Sequence, residues 1–120
     1  MALVAVDGGK TKTTCIVFDE DGELLSTAST GPSGVLLASD LVKRNVWNSI
    51  IDALSRAGLT VNSVKVFSIG LADIDTRKDL ERAWVIVKSL PIPSTADVVV
   101  EHDAVTAYYA VTYGDPGVAV

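Results

Sequence analysis

One short stretch gathers most of the groups that could do chemistry: Asp7-Gly8-Gly9-Lys10-Thr11-Lys12-Thr13, followed by Thr14. It holds a carboxylate, two glycines, two lysines and three hydroxyls. Glycine lets a backbone approach a ligand closely and accept a positive φ. Successive free N–H groups in such a turn form a concave anion site, and lysines add positive charge to it. A carboxylate at a strand end suits Mg²⁺, which takes one or two carboxylates together with phosphate oxygens and water. The stretch is therefore a candidate phosphate-binding hairpin with Asp7 as its metal handle. The same residues would equally make an ordinary hairpin with a solvated polar tip, since Asp-Gly and Gly-Gly are the usual turn residues. Two other phosphate loops are excluded. A P-loop needs Gly, four residues and then Gly-Lys-Ser/Thr; Gly9-Lys10-Thr11 supplies the end, but Val4 stands where the first glycine belongs. The Gly-x-Gly-x-x-Gly of dinucleotide-binding folds is absent, and a hairpin rather than a helix follows the turn.

The elements around this stretch must position it. Residues 2–6 and 14–18 are β-branched-rich apolar runs on either side of the turn, the pattern of a hairpin. A turn over 19–23 leads to a third strand, 24–30, completing an antiparallel meander. Gly31-Pro32-Ser33-Gly34 breaks the pattern as a loop. Val42, Val46, Ile50 and Leu54 then recur every four residues and predict a helix. Ser39 or Asp40 is its expected N-cap and Gly58 its C′ glycine. Residues 64–69 are a fourth strand, Gly70-Leu71-Ala72-Asp73 a loop. Thr76, with Asp79 three residues on, opens a second helix that runs to about Leu90, before Pro91 and Pro93. Residues 97–101 are a fifth strand, running into His102-Asp103 and a third helix over 104–113.

The order βββαβαβα belongs to the α/β class. It predicts strands 1, 4 and 5 parallel, with the hairpin strands added antiparallel on one edge. The loops at Asp7, Gly70–Asp73 and His102-Asp103 would then meet at the carboxyl ends of the parallel strands, where open α/β sheets bind ligands.

Composition bounds the rest. The chain has 120 residues, is 48% hydrophobic and carries a net charge of −5, which fits one globular domain and disfavours a nucleic-acid surface. No apolar run approaches the ~20 residues of a membrane span, and no basic, apolar leader opens the chain. A single cysteine, Cys15, excludes an internal disulfide and fits a reducing compartment and a place in the core. A soluble, cytoplasmic protein is expected. Gly114-Asp115-Pro116-Gly117 is a turn and Val118-Ala119-Val120 begins another apolar strand, so residues 1–115 are expected to form one lobe and residues 116–120 to start a second.

This arrangement resembles one lobe of the ribonuclease H-like, actin-like ATPase fold shared by sugar kinases and Hsp70-type chaperones. More specifically, it is similar to the N-acetylglucosamine kinase family, which includes ATPase activators of benzoyl-CoA reductase and hydroxyacyl-CoA dehydratases. Four stretches carry the resemblance: Val6 to Thr13, Gly31-Pro32-Ser33-Gly34, Gly70-Leu71-Ala72-Asp73, and His102-Asp103-Ala104 with Ala107. The resemblance implies ATP and Mg²⁺ as cofactors and phosphoryl transfer to a hexose or amino-hexose such as N-acetylglucosamine or glucose. It makes Asp103 the general base, Asp7 the Mg²⁺ residue, and Gly8, Gly9, Thr11, Lys12 and Thr13 the phosphate loop. Gly31, Ser33, Gly34, Asp73 and Asp103 would meet the sugar. A homodimer of the complete protein is implied, with no nucleic-acid or membrane partner.

Blander roles stand beside these: Asp103 as a helix N-cap, Gly31 to Gly34 as a plain turn, Asp73 and Lys10 as solvated charges. The chain departs from the pattern at three positions, with Lys10 and Asp73 where the family usually has glycine and Gly34 where it has asparagine. Two rival functions are an activator ATPase, which bridges an iron–sulfur cluster with paired cysteines, and a non-catalytic sugar- or nucleotide-binding module.

Overall fold

The computed structural model describes residues 1–101. His102, Asp103 and the predicted helix over 104–113 lie outside the described residues. The strands are β1 (Ala2–Gly8), β2 (Thr13–Phe18), β3 (Leu24–Thr30), β4 (Val64–Leu71) and β5 (Asp97–Glu101), with helices α1 (Ser39–Arg56) and α2 (Arg77–Lys88). They form one five-stranded mixed sheet in the order β3-β2-β1-β4-β5. As predicted, β1, β4 and β5 are parallel and the β1–β2–β3 meander is antiparallel at one edge.

Strand pleating sorts the side chains onto two faces. Val4, Val6, Cys15, Val17, Ala28, Phe67 and Ile69 face the helices and join one core with Val42, Val46, Ile50, Ala53 and Leu54 of α1 and Ala83, Ile86 and Val87 of α2. Both described helices thus cover the same face. Leu3, Ala5, Phe18 and Val66 form a smaller cluster on the other. Each large apolar side chain buried this way contributes about 1.5–3 kcal/mol.

The helix ends show what local sequence controls. Thr76 caps α2 with a full capping box: Asp79 N–H donates to Thr76 Oγ1 at 3.1 Å, and Thr76 N–H donates back to Asp79 Oδ2 at 3.0 Å. Gly58 ends α1 with φ +71. Its N–H donates to Ser55 O at 3.0 Å and Leu59 N–H to Leu54 O at 2.9 Å, closing a Schellman motif.

The start of α1 differs from expectation. Neither Ser39 nor Asp40 is the cap: Ala38 flanks the helix at φ −55 and ψ 131, without a side-chain cap bond. Tertiary bonds fix the approach instead. Leu37 N–H donates to Gly34 O at 3.1 Å, and the Arg82 guanidinium donates to Val35 O at 2.9 Å and Leu37 O at 3.1 Å.

The strand ends also run further than the apolar runs suggest. Asp7 and Gly8 pair with Thr14 and Thr13 on one side and with Gly70 and Leu71 on the other. Two neighbouring strands extend β1 and β4 past the point where apolar residues stop. Gly70 and Leu71, expected in a loop, are therefore strand.

Candidate functional site

The site is built where β1 and β4 end. The hairpin loop is Gly9 to Lys12, closed by Gly9 N–H donating to Lys12 O at 2.8 Å. Neither Gly8 nor Gly9 has a positive φ, the freedom their type first brought to mind. Their reason is crowding. A Cβ on Gly8 would stand 2.5 Å from Ser33 Oγ and 2.6 Å from Leu71 Cδ2, and one on Gly9 would stand 2.9 Å from Lys12 O.

Three loops are stitched together at this point. Ala72 N–H donates to Gly8 O at 2.7 Å, Ser33 N–H to Gly9 O at 3.0 Å and Val35 N–H to Ala72 O at 2.9 Å. Thr13 Oγ1 donates to Gly31 O at 2.7 Å and shares a short hydrogen bond with Ser33 Oγ. Both hydroxyls are fully buried. Asn45 of α1 secures the far side by donating from Nδ2 to Pro32 O at 2.7 Å, and a Cβ on Gly31 would meet that same nitrogen at 2.9 Å.

The structure therefore divides the predicted residues. Gly8, Gly9, Thr13, Gly31, Ser33 and Gly34 lie together in the stitched loops, with Thr13 and Ser33 turned inward on each other. Thr11 and Lys12 are exposed on the hairpin tip. Asp7 is exposed near the end of β1, in register with Thr14 and Gly70, on the face away from the helices. Among the described residues no cation or donor engages its carboxylate. Asp103 lies outside the described residues.

The three positions that depart from the resembled pattern meet in space. Lys10 Nζ lies 3.2 Å from Asp73 Oδ1, with Asp73's side chain only 22% exposed. Asp73 takes φ 70, a left-handed conformation that Asp tolerates better than most side chains. A Cβ on Gly34 would stand 2.9 Å from Asp73 Oδ2. Neither charge is simply solvated, as it would be in a plain turn.

Asn45 and Arg82 were not marked as site residues by sequence. Each acts on a loop distant in sequence, with no local motif to announce it. Cys15 is fully buried, and burial pushes its thiol up to about 12, so it stays neutral at ordinary pH. Among the described residues no group of three His, Cys, Asp or Glu side chains is arranged to hold a metal ion. No described helix is long and apolar enough to cross a membrane.

Solved structures share this architecture. A provisionally assigned N-acetylglucosamine kinase from Chromobacterium violaceum superposes with TM-score 0.67 at 23% identity, over 83% of this chain and 34% of that one. The ROK hexokinase from Thermus thermophilus gives 0.62 at 21% identity, over 93% of this chain and 38% of that one. A reductive activator for a corrinoid, iron–sulfur protein gives 0.54 at 10% identity, over 83% of this chain and 22% of that one. The chain thus spans about a third of the length of the two kinases. No curated protein matches it by sequence. The mixed five-stranded sheet with its two described helices has the fold of an actin-like ATPase lobe. The sequence model of the BadF/BadG/BcrA/BcrD ATPase family matches residues 4–120, and the chain belongs to that family.

Proposed function

We propose that this chain is the N-terminal, nucleotide-binding lobe of a cytoplasmic, homodimeric kinase that moves the γ-phosphoryl of ATP to a hydroxyl of a hexose or amino-hexose. The observation that carries the reading is the convergence of the 8–13, 31–34 and 72–73 loops at the carboxyl ends of β1 and β4. Phosphoryl transfer asks chiefly for positioning and charge compensation. The exposed tip offers Thr11 and Lys12 to the β- and γ-phosphates, while Gly8, Gly9 and Thr13 fix the turn that presents them. Asp7 fits Mg²⁺: it is an exposed carboxylate beside that tip, unengaged among the described residues, and phosphate oxygens and water would complete the ion's ligands. The ion, when bound, neutralises charge developing between the phosphates. Gly31, Ser33, Gly34 and Asp73 form the sugar side, and Asp103 is the general base.

The test is Asp103→Asn in the complete protein. A positioned base contributes about 10²–10⁴-fold, so transfer to sugar should fall by that order with sugar binding kept. Undiminished turnover would remove Asp103 from this role.

A second reading, an activator ATPase, draws on the family itself and on the fold shared with the reductive activator. Its mark would be ATP hydrolysis that no sugar stimulates. Cys15 gives that reading no support, because its thiol is buried and neutral.

A further inference from the structure

Lys10, Gly34 and Asp73 come from three different loops and form one unit. Asp73 is anchored twice, by a left-handed backbone that fixes where its side chain leaves the chain and by Lys10 Nζ at 3.2 Å. Gly34 is buried, and the space a side chain there would enter is taken by Asp73 Oδ2, 2.9 Å from an added Cβ. The carboxylate thus stands in for a side chain of residue 34 beside the stitched loops. An ion pair whose lysine is 74% exposed adds little to stability. Its consequence is therefore orientation.

We propose that Asp73, positioned by Lys10 and admitted by Gly34, is the specificity residue of the acceptor site: it selects sugars that present hydroxyl or ammonium donors and rejects anionic ones. The inference rests on the kinase reading above. A hydrogen bond to a charged group contributes about 1.5–3 kcal/mol, or roughly 10- to 150-fold in affinity.

The experiment is calorimetric binding of D-glucose, D-glucosamine and D-glucuronate to the complete protein without nucleotide. Glucose and glucosamine should bind, with glucuronate weaker by about 10-fold or more. Preference for glucosamine over glucose would mark the ammonium as the favoured donor, and equal binding the hydroxyls. Asp73→Asn keeps a residue that accepts the left-handed backbone; it should weaken the first two sugars about 10-fold or more and abolish discrimination against glucuronate. Gly34→Ala should do the same with the carboxylate still present, by pushing it aside. Lys10→Met should have an intermediate effect with an unchanged Tm, Lys10→Arg should restore binding, and Lys10→Met/Asp73→Asn should be no weaker than Asp73→Asn alone. Unchanged affinities in Asp73→Asn and Gly34→Ala would overturn the proposal and, with phosphoryl transfer retained, leave the kinase reading standing. A wild-type protein that hydrolyses ATP but binds none of the three sugars would overturn both.

Discussion

The core beneath α1 and the loop cluster at the strand ends sit a few residues apart on the same strands, yet they are held by opposite means. The core is apolar volume: Phe67, Ile50, Leu54 and Ile69 are fully buried and pack side chain to side chain. The cluster is backbone against backbone, drawn together by Ala72 N–H to Gly8 O and Ser33 N–H to Gly9 O, with glycines where a Cβ would collide. One region fails when atoms are removed, the other when they are added. For the phosphate-binding role proposed above, the second kind of construction is an advantage, because supporting hydrogen bonds hold the loops in place.

Three substitutions separate the two regions, from the largest effect to the smallest. Phe67→Ala should cost about 3–5 kcal/mol in chemical denaturation. A loss below 1 kcal/mol would mean the core collapses around the cavity and is not volume-limited. Gly8→Ala should cost about 1–3 kcal/mol by overpacking against Ser33 and Leu71. The instructive control is Gly22, which has φ +84 and nothing within 4 Å of an added Cβ. Its alanine variant should lose only about 1 kcal/mol through the backbone and leave nucleotide binding untouched, whereas Gly8→Ala should impair both. Equal effects at the two glycines would erase the distinction between crowding and dihedral freedom.

The smallest effect belongs to charge, at the start of α2. The Asp79 carboxyl is held below its ordinary value, first by the backbone N–H of Asp75 and then by the Thr76 hydroxyl. Because its folded pKa is lower than its unfolded one, its contribution is complete above the ordinary carboxylate range and is lost as pH falls through the lowered value. The acid limb of the unfolding curve should therefore flatten in Asp79→Asn. An identical acid limb would show that the capping box has no acid-dependent role.

Much of this protein was legible before its structure. Short apolar runs between turns placed five strands, a four-residue apolar period placed α1, a capping pattern and two prolines placed α2, and the βα order put β1, β4 and β5 parallel. Thr76 and Asp79 announced the start of α2, and Gly58 the end of α1, because capping is chemistry between residues three to five apart. The candidate loops were legible in the same way, from residue type and strand order.

Other features depended on partners far along the chain. Ser39 and Asp40 have the right chemistry for a cap, yet Arg82 and Gly34 decide how the chain enters α1. The strand character of Gly70 and Leu71 comes from their pairing with Asp7 and Gly8. The inward turn of Thr13 and Ser33, and the meeting of Lys10, Gly34 and Asp73, required three loops folded onto one edge. Sequence by itself determined which elements form and where the reactive groups are, because periodicity and capping act over a few residues. Tertiary structure alone decided which of those groups stand exposed at the loop edge and which face each other, because that depends on contacts between segments tens of residues apart.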